Sequence, residues 1–326
     1  MKARWSWVSL PLLTLLAACN AILGYGDFVK IDGESGGDGG GNVGTDPTTT
    51  PTTNPTTVPT TPPTVTCVPT KAWGVPAPIP SFTGFLPSLS GDELTLAWEG
   101  PGDAIFLAQR PTIGGAYGAQ VQATGLMTTN SLGPSFSADG LTLFWYALSS
   151  TNTYNVFIAT RASTTATAFT GTRALASHGS ETLDSINPVV SRDGNELFTV
   201  RVAARSTQPQ EIWHALKSGT DFAAPAQLTE IAAGVTGSVD SIALSADRLT
   251  LYFSSRRSPS LGRSDIWSVT RASTTAPFGA PTQELLQGIN SAEDDLVSWI
   301  SPDNCRLYFS SFRGNGNQLF VATRTP

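Results

Sequence analysis

The chain is poor in the groups that most enzymes use for chemistry. Of 326 residues, two are histidine, three are cysteine and two are methionine, and only 13% are charged. His178 and His214 stand far apart without a metal-ligand spacing, and His214 falls at a strand position, which argues against a zinc site. No GxSxG elbow occurs, and no cysteine is set with a histidine as nucleophile and base, which argues against serine or cysteine hydrolysis. The apolar run from Trp5 to Leu16 is too short to span a bilayer as a stable anchor. Positive charge is scarce too: removing Lys2 and Arg4 from the 19 basic residues leaves 17 against 25 acidic ones, a formal charge near −8. Such a surface repels phosphates, so neither nucleic acid nor anionic lipid is an expected partner.

What is present begins with an export signal, residues 1–18, with a short basic start and the apolar run. Leu16-Ala17-Ala18-Cys19 resembles the lipobox of bacterial lipoproteins. The resemblance implies cleavage before Cys19 and lipid on its thiol, and more than one acyl chain gives durable anchoring. The alternative is an ordinary secretory signal with a chance cysteine. Asn20 stands where many Gram-negative lipoproteins carry an inner-membrane retention Asp, so the resemblance implies the cell envelope, at the outer membrane. Residues 19–70 collapse into Gly and Asp (GESGGDGGGNVG) and then into Thr and Pro (TDPTTTPTTNPTTVPTTPPTVT). With no apolar side chains to bury, this stretch reads as a disordered tether between lipid and domain.

Residues 71–326 repeat. PSLSGDELTLAW, PSFSADGLTLFW, PVVSRDGNELFT, IALSADRLTLYF and SWISPDNCRLYF share one pattern, and their Asp recurs at 92, 139, 193, 247 and 303 with spacings of 47, 54, 54 and 56. These lengths suit one four-stranded propeller blade each. A third strand ends each copy in a base, at Arg110, Arg161, Lys217, Arg271 and Arg324, and alternation of apolar and polar residues marks the strands. Four copies continue into an aromatic and a fourth strand, as in AYGAQVQ and PFGAPTQEL; the fifth stops at Arg324. AWGVPAPI, Ala72 to Ile79, supplies the missing strand from the other terminus, closing a ring of five blades with no open edge. Cys67 precedes this clasp, and Cys305 lies in the first turn of the blade that it completes, so a disulfide is expected there, with two free thiols as the alternative. Closing so long a loop contributes roughly 4–5 kcal/mol in the chain-entropy model.

SADGLTLFW, SADRLTLYFSSRR and GRSDIWSVTR resemble the WD40-like repeat called PD40, found in the propeller of the TolB family and in many bacterial envelope proteins. The resemblance covers Trp73 to Arg324 and implies a binding platform, a periplasmic partner protein or an accessory domain. Five repeats in place of six, and no separate N-terminal domain, depart from the TolB pattern.

Internal symmetry separates scaffold from site. Residues found in every blade, the five Asp and the Ser at 90, 137, 191, 245 and 301, read as turn formers. Leu96, Leu143, Leu197, Leu251 and Leu307 read as packing between blades, and Trp213 and Trp267 as core. The pattern breaks at Asp184, Asp240, Glu293, Asp294 and Asp295, just upstream of the innermost strands, where the first two blades have Thr83 and Asn130, and at Trp299 on an inner strand. These residues are the candidate ligand site, placed to meet basic or hydroxylated groups or to hold Ca²⁺; solvated acidic loops are the bland reading. Arg201, Arg205, Arg256, Arg257 and Arg263 read as solvated loop residues. Two functions follow. One is a non-catalytic, monomeric binding or scaffold protein for an envelope protein, peptide or glycan. The other is a glycoside hydrolase or lyase, since some five-bladed propellers cleave polysaccharides with carboxylates in the central funnel. The inner strands LPSLS, GPSFS, NPVVS, SIALS and VSWIS contain no Asp or Glu, which favours the first.

Overall fold

The computed structural model describes residues 67–326 apart from 127–129, 205–208, 233–236, 284, 285, 315, 325 and 326. The leader, Cys19 and the tether up to Thr66 lie outside the described residues, and among the described residues no helix is long and apolar enough to cross a membrane. The chain is all-β and forms a five-bladed propeller. Blade 1 is β2 (Phe85–Leu89), β3 (Thr95–Gly100), β4 (Ala104–Gln109) and β5 (Val121–Gln122); blade 2 is β6 (Leu132–Phe136), β7 (Thr142–Leu148), β8 (Tyr154–Thr160) and β9 (Thr170–Ala174). Blade 3 is β10 (Leu183–Val190), β11 (Glu196–Ala203) and β12 (Glu211–Ser218), with an outer edge broken into β13 (Asp221–Phe222) and β14 (Ala226–Gln227). Blade 4 keeps β15 (Val239–Leu244), β16 (Thr250–Ser255) and β17 (Asp265–Thr270), its fourth strand contracted to one bridge between Ser268 and Thr282. Blade 5 is β18 (Asp295–Ile300), β19 (Arg306–Ser311) and β20 (Gln318–Thr323), closed by β1 (Ala77–Thr83) from the start of the domain.

The repeated residues build the turn between the first two strands of each blade. In blade 2, Ser137 Oγ donates to Asp139 Oδ1 at 2.6 Å and accepts from Thr142 N at 2.9 Å, while Asp139 Oδ1 also accepts from Leu141 N. The residue after each Asp is left-handed, with φ between 58° and 70° at Glu93, Gly140, Gly194, Arg248 and Asn304. The third-strand arginine then caps that residue: Nε of Arg110, Arg161, Arg271 and Arg324 donates to the carbonyls of Glu93, Gly140, Arg248 and Asn304. Each guanidinium also lies on the aromatic of the fourth strand, Arg110 on Tyr117, Arg161 on Phe169, Arg271 on Phe278 and Arg324 on Trp73. Trp73 thus does for blade 5 what the others do for theirs, although it precedes the whole ring. The regular part of the clasp strand starts later than the aromatic suggests, at Ala77, and pairs with β20 at Ala77, Pro78 and Thr83 across a bulge. Cys67 and Cys305 are joined by a disulfide with Cα atoms 5.9 Å apart.

Blades stack through the same repeat. Leu96, Leu143, Leu197, Leu251 and Leu307 are all fully buried, each in a cluster spanning two blades, and each side chain contributes roughly 1.5–3 kcal/mol by leaving water. Inner strands are bound to their neighbours as well, by Phe136 N to Ser88 Oγ, Val297 N to Ser254 Oγ and Ser298 Oγ to Pro87 O.

Candidate functional site

The innermost strands run along the ring's axis from an irregular mouth to the end that carries the Ser-Asp turns. At the turn end lies a cavity of about 50 Å³ lined by Leu89, Phe136, Leu244 and Trp299 together with Ser135 and Arg192, and no Asp or Glu lines it. Trp299 packs edge-on to Tyr308, ring centres 5.4 Å apart. It stands four residues beyond Asp295 on β18, about 13 Å at ~3.3 Å per residue. The tryptophan and the acids therefore occupy opposite ends of the axis.

Asp184, Asp240 and Asp295 stand at the starts of their blades' innermost strands, and most of the predicted acids are already engaged. Asp184 Oδ1 accepts from Tyr154 N at 2.8 Å, tying blade 3 to blade 2. Asp240 accepts from Ser264 Oγ at 2.7 Å and from Arg256 Nε at 3.3 Å. Asp294 faces Arg263 at 3.7 Å, and Asp295, wholly buried, accepts from Ser291 and from Arg313 at 2.6 Å. Glu293 is exposed. Among the described residues, no three His, Cys, Asp or Glu side chains converge as a metal ion would require. Four of the five carboxylates meet separate donors, so the calcium expectation finds no shared ligand set among the described residues.

A second group at the mouth escaped the sequence reading. Glu99 is the penultimate residue of β3 and pairs across the sheet with Phe85. Its carboxyl is pushed up to about 7 by burial, against the hydrogen bond from Gly133 N–H and with the help of nearby Asp103. Beside it stand Tyr146 and Tyr154, edge-on with ring centres 5.5 Å apart; burial, and then Glu99, hold the Tyr146 hydroxyl well above the usual phenol range. Asn187, 7% exposed, donates from Nδ2 to Asp240 O at 2.6 Å, and its Oδ1 has no partner. Gly133 makes this packing feasible: at φ 54° a Cβ there would come 2.6 Å from the Tyr146 ring and 2.9 Å from Asn187 Oδ1. The signal was available, because the residue seven beyond the turn Asp reads Glu99, Tyr146, Val200, Ser254 and Ser310. Blades 1 to 3 thus present an acid, two phenols and an amide, a set suited to hydroxylated or amide-bearing ligands.

The basic and imidazole side chains depart from the solvated reading in part. Arg256 and Arg263 keep 54% and 70% of their side chains exposed, but Arg201 and Arg257 are buried, Arg201 over Trp213 and Arg257 over Phe253 and Trp267. The guanidinium groups lie over aromatic rings, Trp213 and Trp267 coming from the next strand, which a linear pattern does not reveal. Arg205 lies outside the described residues. His214 Nε2 stands 3.0 Å from Glu196 Oε2 on the neighbouring strand of blade 3, and burial lowers its pKa despite that carboxylate. His178 is buried and pushed down to about 4, chiefly by burial and then by Arg201.

No family model and no curated protein matches the chain. Solved structures do. The endo-arabinase from Bacteroides thetaiotaomicron VPI-5482 is similar with a TM-score of 0.57 at 15% identity, over 78% of this chain and 98% of that one. A thermostable family-43 glycoside hydrolase gives 0.51 at 12% identity over the same shares. TolB from Acinetobacter baumannii gives 0.43 at 16% identity, over 74% of this chain and 54% of TolB, so the chain spans about half the length of that protein. What they share is the propeller. At these identities the likeness is one of fold alone.

Proposed function

We propose that this chain is a lipid-tethered cell-envelope protein whose propeller binds a protein, peptide or glycan at its irregular mouth and does not turn it over. The observation that carries this reading is the lining of the turn-end cavity, apolar side chains with serines and Arg192 but no carboxylate, while four of the mouth's acids already hold protein donors. The binding surface is the sector with Glu99, Tyr146, Tyr154 and Asn187, with Asp184 and exposed Glu293 at its rim. Its polar groups suit recognition by hydrogen bonding. The tether rests on the lipobox-like stretch ending at Cys19 and on the Thr/Pro segment that follows.

The alternative, a hydrolase or lyase acting on polysaccharide, draws on one observation, the Glu99 carboxyl held near 7, a property of general acids. One experiment separates the two. The protein is titrated calorimetrically with cell-wall glycans, arabinan and envelope peptides, and released reducing ends are followed in parallel. Saturable binding without release, weakened at least about tenfold by Tyr146→Ala, which is a loss of ~1.4 kcal/mol, supports the binding platform. Reducing ends that vanish with Glu99→Gln would establish the hydrolase, and binding indifferent to both substitutions would remove the mouth as the site.

A further inference from the structure

Arg257 and Arg313 occupy the same station in successive blades. Each lies two residues beyond the last residue of its blade's second strand and donates Nε to that serine, Arg257 to Ser255 Oγ at 3.3 Å and Arg313 to Ser311 Oγ at 3.0 Å. Each guanidinium lies on one aromatic from the second strand and one from the third. Arg257 stands 4.5 Å from Phe253 and 5.5 Å from Trp267, and Arg313 stands 5.2 Å from Phe309 and 5.3 Å from Phe320. The counter-charge is what differs. Arg313 donates to Asp295 Oδ1 at 2.6 Å and to the carbonyl of Ile289. Asp295 on the innermost strand pairs across with Ser311; on the innermost strand of blade 4 the partner of Ser255 is Val239, while its partner on the third strand, Asp265, accepts from Leu261 N and Gly262 N and forms no ion pair with Arg257. An isopropyl group therefore stands where blade 5 has its carboxylate.

Arg257 is 4% exposed, its Nη1 has no partner, and among the described residues it forms no ion pair. Burial lowers its pKa to about 10 with no anion working against the fall. A buried, unpaired cation is costly, and folded proteins normally supply a partner. Beside the guanidinium is a cavity of about 40 Å³, bordered by Val239, Ile212, Leu228, Ile231 and Glu211. A water needs roughly 10–15 Å³ of such space, so the cavity has room for a small ion and none for a sugar or aromatic ring. The one acid on its wall, Glu211, lies beyond ion-pairing distance and accepts from Gln227 Nε2.

We propose that Arg257 holds a small monovalent anion, of chloride or formate size, in the seam between blades 3 and 4, where blade 5 uses its own Asp295. The test is the line width of the chloride NMR signal in the presence of the whole protein, with formate and sulfate as competitors. The parent is expected to broaden the line; formate narrows it at millimolar concentration, and sulfate, too large for the cavity, does not. Chloride also raises the Tm at constant ionic strength. Two variants carry the decision. Val239→Asp installs the carboxylate of blade 5, so the excess broadening is lost, the Tm rises, and chloride no longer shifts it. Glu211→Gln removes a negative charge from the cavity wall, so broadening persists or strengthens. The inference is overturned if the parent shows no excess broadening, if Val239→Asp broadens like the parent, or if broadening appears only in Glu211→Gln, which would make Glu211 the partner of Arg257 in the parent.

Discussion

The two ends of the ring are built on opposite terms. At the turn end each blade repeats the Ser-Asp turn and the left-handed residue after it, and in four of the five an arginine cap lies on an aromatic. At the mouth, equivalent stations carry different groups: Glu99 against Tyr146 and Val200, Asp295 against Val239. Most polar groups of the turn end are satisfied by the repeat itself, Arg161 Nη2 and Asn304 Oδ1 excepted; the mouth leaves Asn187 Oδ1, Arg257 Nη1 and Asp294 Oδ1 without partners. Regularity holds the ring together, and departures from it accumulate at the mouth. The ends also answer pH in opposite senses, since the turn aspartates Asp139, Asp193 and Asp303 titrate below the ordinary range and Glu99 above it.

The strongest way to break the regular end is to remove a buried charge that links blades. Glu196, 3% exposed in its side chain, meets Arg271 at 3.1 Å and Arg248 at 3.0 Å from blade 4, with His214 at 3.0 Å. Glu196→Ala leaves Arg271, itself 5% exposed, in low dielectric without a counter-charge. The expected loss is about 3–5 kcal/mol, read as a lower denaturant midpoint at unchanged slope. A loss under about 1 kcal/mol would mean that the pair is solvated and that the blades rely on apolar packing alone.

How legible each end was follows from the same contrast. The Ser-Asp turns, the leucine layer and the completing strand were readable because each depends on neighbours in sequence, repeated five times. The regular part of the clasp begins at Ala77, beyond the first aromatic, because Trp73 is spent on Arg324, and Pro76 and Pro78 cannot donate to a ladder. Glu196 and Arg257 were not readable, since their partners come from other strands or are absent. The acids of the mouth were located, but their engagement was not: Asp184 is held by a backbone N–H from the preceding blade. Glu99 was hidden inside a strand, although comparing the five copies at one position isolates it.

A gentler probe sharpens the mouth. Glu99 has a folded pKa above its unfolded one, so its contribution is fully present below about pH 4 and is lost as pH rises through 7. Glu99→Gln removes that loss while keeping the shape. It is expected to be neutral near pH 4 and to stabilise by about 1–2 kcal/mol at pH 9, after allowance for partial exposure. Denaturation curves of both proteins from pH 4 to 9 should diverge upward through 7; parallel curves would show that Glu99 is solvated like any surface acid.

The smallest expected effect tests one repeated turn. Burial pushes the Asp139 carboxyl up, and hydrogen bonds from Ser137 and from Leu141 N–H more than offset it, leaving the pKa below the usual carboxylate value. A lowered folded pKa stabilises at neutral pH and loses its effect as pH falls through that value. Ser137→Ala deletes one of those bonds and the bond from Thr142 N, at a cost of about 0.5–1.5 kcal/mol at pH 7. Part of that cost depends on the carboxylate being charged, so the gap between variant and parent should narrow below pH 4 without closing, because the bond to Thr142 is indifferent to Asp139. A gap constant from pH 7 to 3 would assign the whole effect to the Thr142 bond and leave the Ser-Asp contact without energetic weight. Such a result would make the serine, and not the aspartate, the reason that the pair recurs in every blade.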